Sequence, residues 1–183
     1  LGPLEYKDPE GGKLKIGFMS PDFRFHSVAV AFRGVLDNRN RDRYHYAAYA
    51  TTTYGKDDLT RHFSETFDSW TDITEMSHVD AAKKIADDGV NVLIDLAGHT
   101  RGGRLELLAL RPAPVQAHWL GFSSTTGASY IDYLVTDRIQ LPPEDQQYCS
   151  EQLVYLPETF MATSRPPVAV ETYTRSDFGL PED

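Results

Sequence analysis

Residues 14–36 read LKIGFMS PDFRFHS VAVAFRGVL. The first block is an apolar run of strand length, Leu14 to Met19, and the last is a helix-like run, Val28 to Leu36. Between them lie Ser20-Pro21-Asp22-Phe23-Arg24-Phe25-His26-Ser27, with Ser27 placed as a helix N-cap. A carboxylate, a histidine and a helix start therefore meet at the carboxyl end of a first strand. Open α/β sheets bind ligands there, because loops and helix N-termini leave a crevice of unpaired backbone N–H groups.

Downstream of this stretch, strand and helix signals alternate. Further strands are predicted at Tyr44–Ala50, near Phe67–Trp70, at Val90–Leu96, Val115–Leu120 and Tyr133–Thr136, and near Leu153–Leu156. A polar helix is predicted near Asp57–Thr66. Ser77-His78-Val79-Asp80 has capping-box form and opens a helix with Val79, Ala82, Ile85 and Ala86 on one face, ending before Gly89. A short helix within Gly102–Arg111 is stopped by Pro112. Val90–Leu96 is nearly all apolar, as in a strand buried on both faces. This order predicts an α/β domain: a Rossmann-like parallel sheet of six or seven strands flanked by helices. Residues 1–12 read as a tail or linker, 13–160 as the domain, and 161–183 as a connector.

Composition narrows the class. The chain has 183 residues, 40% hydrophobic and 25% charged, which suits one soluble domain with its own core. No apolar run approaches the ~20 residues of a membrane helix. A net charge of −9 with acids spread along the chain argues against nucleic-acid binding. The single Cys149 excludes an intrachain disulfide and points to a reducing cytoplasm.

Neither a G-x-G-x-x-G fingerprint nor a P-loop is present. Instead, two more polar, glycine-containing loops follow strands. Ala97-Gly98-His99-Thr100-Arg101-Gly102-Gly103-Arg104 offers glycines for close approach or positive φ, and His99, Arg101 and Arg104 as donors to phosphate or carboxylate; the alternative is a Gly-rich turn with solvated arginines. Leu120-Gly121-Phe122-Ser123-Ser124-Thr125-Thr126-Gly127 offers hydroxyls and exposed N–H groups to a phosphate or sugar, or is a hydroxyl-rich surface loop. With the Asp22–His26 loop they are predicted to line one rim. His26 fits a general base, a donor to phosphate or a strand-end structural histidine, and Asp22 either orients it or caps the turn. His45, His62, His78 and His118 lack metal-ligand spacing and read as structural or solvated, and Trp70 and Trp119 as core.

These loops carry a resemblance. Lys15 to Phe23 (KIGFMSPDF), His26-Ser27-Val28-Ala29, Ile94 to Thr100 (IDLAGHT), Leu110 to Gln116 (LRPAPVQ), Trp119-Leu120-Gly121-Phe122, Thr125-Thr126-Gly127, Ile131-Asp132-Tyr133 and Thr136-Asp137 occur in order. Together they resemble the N-terminal catalytic lobe of the O-GlcNAc transferase and Spindly-type glycosyltransferases, in a bacterial-like form, from about Lys13 to Phe160. The resemblance implies a GT-B enzyme with two Rossmann-like lobes and a cleft between them. It implies inverting, metal-independent transfer of a sugar to Ser or Thr of a protein or peptide acceptor. UDP-GlcNAc is the favoured donor, GDP-fucose the second choice, and no cofactor is needed. Most nucleotide contacts would come from a C-terminal lobe, whose start resembles Thr174–Asp183, so this segment alone is expected to be inactive.

Carried over by position, His26 and Asp22 are the implied catalytic residues. His99, Thr100, Arg101, Arg104, Leu120 and Gly121 are the implied donor- or acceptor-binding residues. Ser123 stands where the family usually has proline, and Arg24-Phe25 replaces smaller or amide residues. The competing expectation is a non-catalytic protein-interaction module with the same fold.

Overall fold

The structure, a computed structural model, describes residues 4–6, 12–52, 57–163 and 170–181. In chain order the elements are β1 (Leu14–Ser20), α1 (Ser27–Asp37), β2 (Tyr44–Ala50), α2 (Asp58–Thr66), β3 (Ser69–Asp72), α3 (His78–Asp87), β4 (Val92–Asp95), α4 (Leu105–Leu108), β5 (Val115–Trp119), β6 (Tyr133–Thr136) and β7 (Gln152–Tyr155). The strands form one seven-stranded sheet in the order β3-β2-β1-β4-β5-β6-β7. Every pairing is parallel. The order steps outward from β1 to β3, then reverses to β4 on the other side of β1. The topological switch therefore lies between β1 and β4, where such sheets open a crevice at their carboxyl edge.

The pleat sends successive side chains to opposite faces and creates two cores. Phe18 joins Val28, Ala29, Phe32 and Leu36 of α1 and Phe63 of α2 on one face. Its neighbour Met19 joins Ala82 and Ile85 of α3 and Leu107 and Leu108 of α4 on the other. The first core is aromatic: Phe18 and Phe32 stand 4.8 Å apart, and Phe32 meets Trp119 edge-on at 6.2 Å. Burying a side chain such as Phe32 contributes about 1.5–3 kcal/mol. Trp119 is core as predicted, whereas Trp70 is only partly buried against the same cluster.

Several boundaries shift for local reasons. The N-cap of α1 is His26, not Ser27: His26 is extended (φ −155°) and its ring accepts the Val28 N–H. Ser77 caps α3 as predicted, and a full capping box also joins Asp57 and Thr60 at α2. The helix predicted within 102–111 shrinks to one turn. Gly102 at φ +87° ends the preceding loop, and Arg111 at φ +52° leaves helical space. The third strand starts later than predicted because Phe67 is the C-cap of α2. Arg165-Pro166-Pro167, read as part of a connector, lies outside the described residues, as does much of the 1–12 tail. Residues 170–181 hold one exposed 3-10 turn, Ser176–Phe178.

Candidate functional site

All three loops leave the carboxyl edge of the sheet, from the adjacent strands β1, β4 and β5. They touch. A Cβ on Gly121 would lie against the Leu96 carbonyl oxygen and within 3.2 Å of Val28, and one on Gly102 would lie 2.8 Å from Pro21. Thr51, at the end of β2, adds a hydroxyl donated to the Gly102 carbonyl at 2.9 Å. Glycine is needed at 121 because a side chain there would push the β5 loop off the end of β4. The preceding residue, Leu120, sits at φ +79° while Gly121 N–H bonds the Trp119 carbonyl at 3.1 Å. This is a γ-turn of the rare, strained kind. Strain of that sort concentrates where backbone must be aimed at a ligand.

The β1 loop carries Asp22 and His26. Asp22 is buried, and Arg24 Nη2 lies 3.3 Å from its Oδ1. The half-buried His26 places Nδ1 3.6 Å from Asp22 Oδ2 and accepts the Val28 N–H at 3.3 Å. Phe23 pins the loop from below, 5.5 Å from Phe67 and 5.4 Å from Trp70. Asp57 pins it from the side, its carboxylate accepting the Phe25 N–H at 2.6 Å. That bond, with those from the α2 N-terminus, holds the Asp57 pKa below the usual carboxylate value. Phe25 itself is 78% exposed.

On the β4 loop, His99 is exposed, with Nε2 2.8 Å from the Thr126 carbonyl and its ring edge-on to Phe122. Thr100 is exposed and donates its hydroxyl back to the Ala97 carbonyl at 2.7 Å. The two arginines part ways. Arg101 is exposed on the rim. Arg104 is buried and donates to the carbonyls of Ile73 and Met76 at 2.8 and 2.9 Å, which ties the loop to the turn before α3. Of the predicted residues, the structure thus brings Asp22, His26, His99, Thr100, Arg101, Leu120 and Gly121 to one rim and turns the Arg104 guanidinium inward.

Beneath the rim lie residues whose part sequence reasoning missed. Asp95 and His118 are register partners at the ends of β4 and β5, both fully buried, with Nδ1 3.1 Å from Oδ2. Asp95 also accepts the Gly98 N–H at 2.6 Å, and His118 Nε2 lies 2.6 Å from the Phe122 carbonyl. Both ring nitrogens face acceptors, so the ring is an imidazolium. Burial alone would lower the His118 pKa, but the hydrogen bond and charge of Asp95 and the Phe122 carbonyl outweigh it, and the pKa is raised. Glu151 is buried too. It accepts Thr126 N–H at 2.7 Å and the hydroxyls of Thr125, Thr126 and Ser150. Burial pushes its pKa up, the threonine bonds more than reverse this, and the net shift is downward. The available signal was a charged residue at the end of each of two apolar runs, Asp95 and His118.

With this geometry, comparison with known proteins is direct. Residues 3–167 match the profile of Glycosyl transferase family 41. The chain belongs to that family. It is 35% identical over 182 residues to the probable UDP-N-acetylglucosamine–peptide N-acetylglucosaminyltransferase SEC of Arabidopsis thaliana, covering 95% of this chain and 19% of that protein. It is 34% identical to the UDP-N-acetylglucosamine–peptide N-acetylglucosaminyltransferase of Caenorhabditis elegans, covering 82% of this chain and 13% of that protein. An O-GlcNAc transferase mutant from Thermobaculum terrenum superposes with a TM-score of 0.83 at 32% identity, over 90% of this chain and 32% of that one. The fold is therefore that of the N-terminal lobe of a GT-B glycosyltransferase. The chain spans about a fifth or less of those curated relatives' length. No described helix is long and apolar enough to cross a membrane.

Proposed function

We propose that this family 41 chain is the N-terminal wall of the cleft of a cytoplasmic protein O-glycosyltransferase that moves GlcNAc from UDP-GlcNAc to Ser or Thr hydroxyls. One observation carries the reading: three polar loops converge at the β1–β4 switch point, with His26 capping α1 and Val28 of that helix lying against the strained Leu120-Gly121 backbone. In this reading His26 and Asp22 act on the reacting groups, and His99, Thr100, Arg101, Leu120 and Gly121 line the donor and acceptor sites. Donor cleavage leaves negative charge on a diphosphate. Oriented N–H groups at the start of α1, the His26 ring and the exposed Arg101 are suited to stabilise it. Residues 13–160 form the lobe, residues 161–183 lead toward a C-terminal lobe, and that lobe supplies the opposite wall and most nucleotide contacts.

The deciding experiment joins this segment to its downstream sequence and assays transfer from UDP-GlcNAc, and separately from GDP-fucose, to a peptide. Transfer of GlcNAc supports the reading; transfer of fucose alone would change the donor. A folded protein with neither activity nor donor binding would overturn it. His26→Ala in the active protein should cut turnover by about 10²–10³, the usual cost of removing a preorganised group aimed at developing charge. The 183-residue chain by itself should not bind UDP-GlcNAc tightly in calorimetry, since one wall of a cleft makes only part of the contacts.

A further inference from the structure

The two rim histidines present opposite faces of the imidazole, and the reason is what each ring already binds. His26 Nδ1 accepts the Val28 N–H. The neutral ring therefore carries its proton on Nε2 and has a donor left to offer. His99 is the reverse. Its Nε2 lies 2.8 Å from the Thr126 carbonyl, which can only accept, so Nε2 holds the proton and Nδ1 keeps its lone pair.

The His99 ring is also held on both sides. Phe122 meets it edge-on at 5.3 Å, and the Phe122 carbonyl is fixed by buried His118. Thr126 is fixed by buried Glu151. The nearby carboxylates are already engaged: Asp22 is buried beside Arg24, Asp95 is bonded to His118, and Glu151 to Thr125, Thr126 and Ser150. An exposed, oriented basic lone pair thus remains on His99.

We propose that His99 Nδ1 is the base that receives the proton of the acceptor hydroxyl, with His26 on the donor side. This rests on the transferase reading above. As the hydroxyl oxygen bonds to the anomeric carbon, the bond from that carbon to the diphosphate oxygen breaks and its electron pair leaves with the nucleoside diphosphate. The hydroxyl proton passes to Nδ1. The resulting imidazolium keeps its Nε2–H bond to the Thr126 carbonyl, which stabilises the new charge, and then returns the proton to water.

Two measurements test this. In the longer active protein, His99→Gln keeps a donor for Thr126 but takes up no proton. Peptide glycosylation should fall by about 10²–10⁴ with melting temperature unchanged and UDP-GlcNAc affinity changed far less than turnover. His26→Gln should instead weaken donor binding along with turnover. On the 183-residue chain, nitrogen NMR should show neutral His99 protonated at Nε2 and bare at Nδ1. Normal turnover in His99→Gln, or an Nδ1–H tautomer, would overturn the assignment while leaving the transferase reading intact. A folded parent protein that transfers no sugar would overturn both.

Discussion

Phe23 anchors the loop after β1 among Phe32, Phe63, Phe67 and Trp70, whereas Asp95, His118 and Glu151 anchor the loops after β4 and β5. The two halves of one rim are thus held differently, the β1 loop mainly by apolar packing with the surface carboxylate of Asp57 on the Phe25 N–H, and the other loops by buried charge. Aromatic packing is indifferent to pH. A buried imidazolium–carboxylate pair and a buried carboxylate are not, because each holds its geometry in one protonation state only. Charge gives something packing does not: directional bonds to particular backbone atoms, the Gly98 N–H, the Phe122 carbonyl and the Thr126 N–H.

The strongest challenge to this contrast is Phe23→Ala, which should lower unfolding free energy by about 3–5 kcal/mol in denaturant titrations, equally across pH. A strongly pH-dependent loss would show that the β1 loop leans on the Asp57 carboxylate as much as on packing. His118→Leu should cost a similar ~3–5 kcal/mol near neutral pH, because it strands a buried carboxylate on Asp95. The sign of its pH dependence follows from the raised His118 pKa. Stabilisation by the pair is complete below the ordinary imidazole pKa of about 6.5 and is lost as pH rises through the raised value. The difference between wild type and His118→Leu should therefore shrink in alkali. Adding Asp95→Asn should recover part of the loss, since the amide oxygen still accepts from Gly98 without an unpaired charge.

Glu151→Gln should cost less, about 1–3 kcal/mol, by leaving buried donors on Thr125 and Thr126 poorly met. Its pH dependence runs the other way. The lowered Glu151 pKa means the stabilisation is present above the usual carboxylate range and lost as pH falls through the lowered value. Melting curves of wild type should show that acid limb, and those of Glu151→Gln should lack its share of it. The smallest effect is expected at Phe25→Ala. The ring is exposed beside His26, so stability should stay within about 0.5 kcal/mol of wild type. A larger drop would mean that Phe25, like Phe23, holds the loop in place.

Local chemistry made much of this legible. The alternation of runs gave a parallel α/β sheet, and β2 and β6 fall on the predicted residues, because a strand buried in such a sheet is written as a short apolar run. The glycines of the β4 loop announced close approach, and Gly98 and Gly102 do adopt positive φ. Asp22, His26 and His99 were visible as polar residues at strand ends. Arg104 was visible too, but its direction was not: whether a guanidinium faces ligand or reaches back to Ile73 and Met76 depends on where the turn before α3 passes.

The order of strands and helices, and the three polar loops at strand ends, can thus be read along the chain. What holds those loops, and which ring nitrogen each histidine offers, follows from contacts made in the folded molecule. Asp95 and His118 are 23 residues apart and become partners solely through the register of β4 on β5. Glu151 reaches Thr126 only because β7 runs beside β6 in the sheet and brings the residue just before it under the β5 loop. Periodicity is a property of neighbours along the chain. Pairing between buried charges is a property of neighbours in space, and a hydrogen bond that fixes a tautomer exists only once the fold has brought donor and acceptor within about 3 Å.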